Sequence, residues 1–180
     1  GLVQIGNTGR ALKESEVAKY GLETFPFAID GVAVAVNPAN KVTSLTKAQV
    51  KDVFAGRITN WKELGGNDAP ISLYVREDGS GTDKGTSVQS ANVVNSNGAM
   101  KTAVAQDPNA IGYVGIGHLD SSIRGVTVDG MVPSQENAAN GTYKITRLLY
   151  MNTKGKPQGL TALFIDYIYS ADGKGFISSS

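Results

Sequence analysis

The chain has 180 residues, of which 41% are apolar and 18% charged, so it can bury a core and is not compositionally disordered. Seventeen Lys and Arg against 16 Asp and Glu leave a net charge of +1, which excludes nucleic-acid binding driven by bulk charge but leaves room for a local anion site. Without cysteine and with His118 as the one histidine, there is no basis for a disulfide framework, a thiol nucleophile, a zinc–cysteine cluster or a multi-histidine metal centre.

In chain order, Leu2 to Ile5 reads as a short strand ending at Gly6. A polar loop, Asn7-Thr8-Gly9-Arg10, leads into a helix near Lys13 to Tyr20, with Gly21 as its stop. The apolar, β-branched run FAIDGVAVAV (Phe27 to Val36) reads as a strand covered on both faces, bent or bulged at Asp30-Gly31. Leu45 to Gly56 is the clearest helix, with Thr46 and Gln49 as a capping box and Val50, Val53 and Phe54 as the buried stripe. Ile58 to Trp61 leads to a Gly65-Gly66 turn, and Ile71 to Val75 alternates like a strand.

That strand runs into Arg76-Glu77-Asp78-Gly79-Ser80-Gly81-Thr82, with a modest helix expected beyond it. Asn97 is placed to cap a helix over Gly98 to Gln106. Ala110 to Val114 and Val126 to Val128 read as strands, the latter ending at an Asp129-Gly130 turn. Tyr143 to Met151 is a further strand, and Leu160, Leu163, Phe164, Tyr167 and Ile168 carry helical spacing for a last amphipathic helix with a core face. Strands alternating with helices indicate an α/β chain with mostly parallel pairing. No apolar run reaches the roughly 20 residues of a membrane span. The start, without Met or leader, reads as a mature or trimmed form.

The chemistry concentrates after the strand ending at Val75. A helix N-terminus offers unpaired N–H groups and partial positive charge, two glycines allow close backbone approach, and Ser80 and Thr82 add hydroxyl donors. Arg76 supplies a forked cation, and together these parts make an oxyanion pocket. Asp78 would repel an anion unless the anion carries a proton. It is then an acceptor that accepts phosphate and rejects fully ionised sulfate. A plain structural turn is the alternative reading of the local pattern. The loop matches neither a P-loop nor a nucleophile elbow.

The stretches FAIDGVAVAVNPANKVTSLTKAQVKDVFAGRITNWKELGG, REDGSGT, NGAMKTAVAQDPNAIGYVGIGHLD and MVPSQENAANGTYKITRLLYMNTKG occur in that order over most of residues 25 to 170. On these the chain resembles the substrate-binding proteins of phosphate ABC importers. The resemblance implies a periplasmic-binding-protein-like fold of type II, an α/β architecture with two lobes around a cleft that close by a hinge. It implies capture of inorganic phosphate outside the membrane for an ABC permease, with no enzymatic step, no cofactor and no metal. Carried over by position, Arg76, Asp78, Ser80, Gly81 and Thr82 match the phosphate loop of the second lobe. Thr8 matches a ligand contact of the first lobe, while Gly9 departs from the family pattern and leaves Arg10 open.

The resemblance also implies an N-terminal segment ahead of this sequence and a tail beyond Phe176. The expected organisation is a partial first lobe from residues 1–36 and 143–180 and one complete second lobe from 37–142, with crossover strands near Ala28 to Val36 and Tyr143 to Met151. A companion chain or swapped partner would complete the first lobe. The location implied is periplasmic or extracellular, with a membrane anchor on a full-length form left open. Rival readings are a binder of another oxyanion such as sulfate or molybdate, and a truncated or complemented scaffold with no ligand binding of its own.

Other residues read more plainly. His118 fits a surface or packing role, and Trp61 anchors a loop. Ser44 and Lys47 match a Ser-x-x-Lys signature without its companion elements, a pattern the capped helix explains. Asp83, in the first turn after the loop, is expected to face solvent. Lys47, Lys51, Arg57 and Lys62 read as a solvated face.

Overall fold

The computed structural model describes residues 3–77 and 90–178. In chain order it contains β1 (Gly6–Thr8), α1 (Glu14–Tyr20), β2 (Leu22–Val36), β3 (Ser44–Leu45), α2 (Lys47–Phe54) and a 3-10 turn at Trp61–Leu64. Next come β4 (Ser72–Arg76), β5 (Asn92–Val94), α3 (Asn97–Gln106), β6 (Ala110–Gly115), β7 (Arg124–Gly125), β8 (Thr127–Val128) and α4 (Gln135–Ala139). The last elements are β9 (Thr146–Lys154), α5 (Gly159–Tyr169) and α6 (Ala171–Ser178). The chain divides into two compact units, residues 1–29 with 148–180 and residues 30–147.

The larger unit is built on β2 and β6. Every residue from Gly31 to Val36 is buried, as is every residue of β6, and the two strands pair antiparallel with Val34 opposite Tyr113. Each fully buried valine or isoleucine here contributes about 1.5–3 kcal/mol of apolar burial. From β2 the strand order runs β6, β4, β5, with β7 on the other side of β2, while β3 and β8 pair parallel on their own. The pairings of β4 with β5 and β6 are parallel, so the sheet is mixed rather than mostly parallel. The alternation of strands with helices that suggested parallel pairing does not fix the direction of β2 against β6 or β7, both antiparallel.

Glycines set two close approaches in this core. A Cβ on Gly112 would run into the Met100 sulfur and come within 3.2 Å of Val104, so its absence lets α3 lie on β6. A Cβ on Gly31 would strike the Ile116 side chain and sit 2.9 Å from the Ala138 Cβ. The Thr46–Gln49 capping box forms as the sequence suggests, with both reciprocal bonds made (3.1 and 2.8 Å). The cap of α3 is Ser96 rather than Asn97: the Ser96 hydroxyl accepts from the Ala99 amide at 2.9 Å, and Asn97 is the first helical residue. The Asp129-Gly130 turn has both residues in the left-handed region, at φ 51° and 79°.

The smaller unit holds β1, α1, α5 and α6 with the outer parts of β2 and β9. The first strand is displaced from its expected place: residues 3–5 are not extended in a ladder, and Gly6–Thr8 pairs antiparallel with Tyr150 to Asn152 instead. At the start of α1 the Glu16 carboxylate accepts from the Lys13 amide (2.7 Å) and from both ends of the Arg10 fork (2.8 Å each). Gly21 ends α1 at φ 59°.

The apolar stripe of α5 does not face a core. Leu160 is 83% exposed, Leu163 65%, and Phe164 and Tyr167 49% each, whereas Ile165 on another face is buried. Helical spacing predicts that one face is apolar but not that a surface exists to receive it. The helix is held by its opposite side, where Thr161 Oγ1 donates to Gln4 Oε1 at 3.0 Å and the Tyr169 hydroxyl donates to the Pro26 carbonyl. No helix among the described residues is long and apolar enough to cross a membrane.

Two outcomes follow from this packing. Gly31→Ala overpacks the contact with Ile116 and Ala138 and lowers the urea unfolding stability by about 1–3 kcal/mol. The Arg10 guanidinium and the Lys13 amide hold the Glu16 carboxyl down to about 2 from an ordinary 4.5. A depressed carboxyl stabilises the fold above its unfolded value and loses that contribution as pH falls toward its folded value. NMR titration of the Glu16 carboxyl in the native chain therefore gives a midpoint near 2, and Arg10→Gln moves the midpoint toward the ordinary range.

Candidate functional site

β4 alternates buried Leu73 and Val75 with partly exposed neighbours and delivers Arg76 at its carboxyl end. Because β4, β5 and β6 run the same way, their carboxyl ends share one edge of the sheet. Open α/β sheets hold ligands outside the carboxyl ends of their strands. β5 ends one residue before Asn95, Ser96 caps α3, and the N-terminus of that ten-residue helix lies on this same edge with its amide dipoles. Tyr113, buried in β6, accepts a hydrogen bond from the Arg76 amide at 2.8 Å and stacks obliquely on Phe54 of α2 at 5.5 Å. The end of β4 is thus fixed by the core itself.

The Arg76 side chain is only 12% exposed. Its Nε and Nη2 donate to the two Glu77 carboxylate oxygens at 3.0 and 2.9 Å, a two-point pair. The contacts from Nη1 to Asn97 Oδ1 (3.4 Å) and from Nη2 to the Asn95 carbonyl (3.5 Å) are long. Glu77 raises the already high guanidinium pKa, and Arg76 holds the Glu77 carboxyl below the usual carboxylate range. The arrangement is a desolvated, permanently charged fork held by one edge at the mouth of the sheet. Chemically it suits an anion or a carboxylate.

Of the residues singled out in the sequence, Arg76 and Thr8 lie in the described regions. Asp78, Ser80, Gly81 and Thr82 fall outside them, as do Asp83 and the helix expected beyond. Thr8 stands at the end of β1 in the smaller unit. Its hydroxyl donates to the Arg10 carbonyl (3.0 Å) and accepts from Asn152 Nδ2 (2.9 Å). Arg10 is committed to Glu16. Sequence reasoning missed Glu77, Asn95, Asn97 and Tyr113 as the surroundings of Arg76. An adjacent Arg-Glu pair carries no periodic signal, and Asn97 reads as a cap.

The remaining side chains take structural places. Trp61 is 1% exposed and its indole donates to the Asn109 carbonyl at 2.9 Å, pinning its loop. His118 is exposed at the end of a 3-10 turn. Ser44 sits in β3, while the Lys47 amide donates to Asp129 Oδ1 at 3.0 Å as α2 begins. Arg57 and Lys62 pair on the surface with Asp52 and Asp68. Among the described residues no group of three or more His, Asp or Glu side chains gathers as a metal site would require.

Comparison with known proteins agrees with this architecture. Residues 1–172 match the family described as the PBP superfamily domain. The phosphate-binding protein PstS of Bacillus subtilis is 37% identical over 96% of this chain, and the match spans 61% of that protein's length. A Clostridium perfringens protein assigned as a phosphate ABC transporter substrate-binding protein, solved with bound phosphate, superposes with a TM-score of 0.87 at 36% identity, over 99% of this chain and 77% of the other. An ABC-type phosphate transport receptor from Vibrio cholerae superposes at 0.79 with 35% identity, over 99% of this chain and 78% of the other. The chain belongs to the PBP superfamily, and it is similar to substrate-binding proteins of phosphate ABC transporters within it.

Proposed function

We propose that this chain is the binding part of an extracytoplasmic receptor that captures inorganic phosphate and delivers it to an ABC permease, without transforming it. The observation that carries the reading is Arg76, a guanidinium 12% exposed and anchored by Glu77 at the carboxyl edge of β4, immediately before the loop Asp78 to Thr82. A buried fork of this kind recognises a tetrahedral oxyanion by charge-assisted hydrogen bonds. Likeness to the phosphate-bound Clostridium perfringens protein supports the same ligand. In this reading Ser80, Gly81 and Thr82 supply hydroxyl and amide donors, Thr8 contributes from the other lobe, and Asp78 accepts the proton of the anion. Phosphate carries that proton at neutral pH and sulfate does not, so Asp78 selects between them. The units 1–29 with 148–180 and 30–147 correspond, in this proposal, to a partial first lobe and a complete second lobe.

A second reading is favoured by one observation, the outward stripe Leu160, Leu163, Phe164 and Tyr167. It holds that the smaller unit is completed by further polypeptide, either the remaining length of a longer protein, a swapped copy or a companion chain. The B. subtilis relative has length beyond the part matched here, which supports it. Until that face is covered, such a chain would associate through it and bind anions weakly.

Isothermal titration with phosphate and with sulfate tests the first reading. Binding of phosphate but not sulfate is expected, weakened about ten- to a hundredfold in Arg76→Gln as the charged hydrogen bonds are lost. Asp78→Asn is expected to admit sulfate. A folded chain that releases no heat with phosphate rejects the reading for this chain on its own. Sedimentation then separates the second reading: a species heavier than 18.8 kDa is expected if the α5 face is seeking cover, and a strict monomer at high concentration argues against it.

A further inference from the structure

The larger unit begins at Asp30 and ends at Arg147, and these two residues are bound to each other. Arg147 donates to the Asp30 Oδ2 oxygen from Nε at 2.8 Å and from Nη2 at 2.7 Å. The side chains are 13% and 16% exposed, far less than those of the surface pair Arg57 with Asp52. β2 and β9 are the strands by which the chain enters and leaves this unit, since residues 22–29 of β2 and 148–154 of β9 belong to the smaller one. The pair therefore ties the two crossing strands together at the point of crossing.

Three ties succeed one another toward that point. The Tyr143 hydroxyl, 1% exposed, donates to the Val32 carbonyl at 3.0 Å. The Val32 amide donates to the Ile145 carbonyl at 2.9 Å. The Asp30–Arg147 pair comes last. Gly31, between the last two, has no room for a Cβ against Ile116 and Ala138, so Asp30 leaves the core from a fixed position. The carboxylate also leans over Gly115, where an added Cβ would lie 3.4 Å from Asp30 Oδ2 and 3.5 Å from the His118 ring. Burial makes such a pair costly to break from one side, because the remaining charge is left without its partner in a poorly solvated place.

We propose that Asp30 and Arg147 form a clamp that holds both crossing strands at their exit from the larger unit, so that the two crossings open together or not at all. A clamp differs from a general stabilising pair in where its loss is felt. Its removal should loosen residues 22–29 and 148–154 while β6 and α3, deep in the larger unit, keep their protection.

Amide hydrogen exchange read by peptide mass spectrometry tests this, without any ligand and so independently of the phosphate reading. In Asp30→Asn, exchange in 22–29 and 148–154 is expected to rise about tenfold in both segments alike, with β6 and α3 unchanged. Arg147→Lys, which keeps the charge but not the two-point fork, should give a smaller rise in the same two segments. The double exchange Asp30→Arg with Arg147→Asp should restore protection. A uniform rise that includes β6 and α3, a rise in only one of the two segments, or no rise in either overturns the clamp. Should Asp30→Asn fail to fold, the same pattern is read from Arg147→Lys, where the charge remains paired.

Discussion

The structure depends on one antiparallel pairing, the inner half of β2 against β6, both sealed from solvent along their whole shared length. Water is excluded from both faces, so every backbone polar group there must be satisfied by a neighbouring strand. That requirement recruits β4 on one side and β7 on the other. The lack of a Cβ at Gly112 then draws α3 onto the sheet, and Phe54 meets the next residue of β6, Tyr113, from the opposite face. Arg76 inherits its position from this arrangement, because the residue that holds its amide, Tyr113, is itself a member of β6.

The electrostatics of the candidate site follow from the same packing. A guanidinium so little exposed needs a counter-charge in the free protein, and Glu77 supplies it on the Nε edge. The contacts on the opposite side are longer and therefore weaker. The fork is consequently oriented in the free protein, its rotamer freedom already given up to Glu77.

Much of this was legible in the sequence, and the reasons differ by element. The capping box of α2 is local chemistry and formed as read, and the apolar run ending at Val36 declared its burial. The placement of Arg76 at a strand end followed from the alternation of Leu73 and Val75. What the sequence hid was non-local. The direction of β6 against β2, the hold of Tyr113 on the Arg76 amide and the pairing of Asp30 with Arg147 across 117 positions leave no periodic trace. The α5 stripe was legible as a pattern and misleading as a burial forecast, because spacing describes a helix and not its neighbours. The first strand begins at Gly6 rather than Leu2 through its pairing with β9, a choice made by the partner strand.

The closure of the larger unit on its own first and last residues has a wider bearing. A stretch whose ends are side by side makes no topological demand on whatever carries it, and such segments are the ones that tolerate transplantation into a foreign turn. Residues 30–147 thus leave and rejoin the rest of the chain at one place, through a single paired exit.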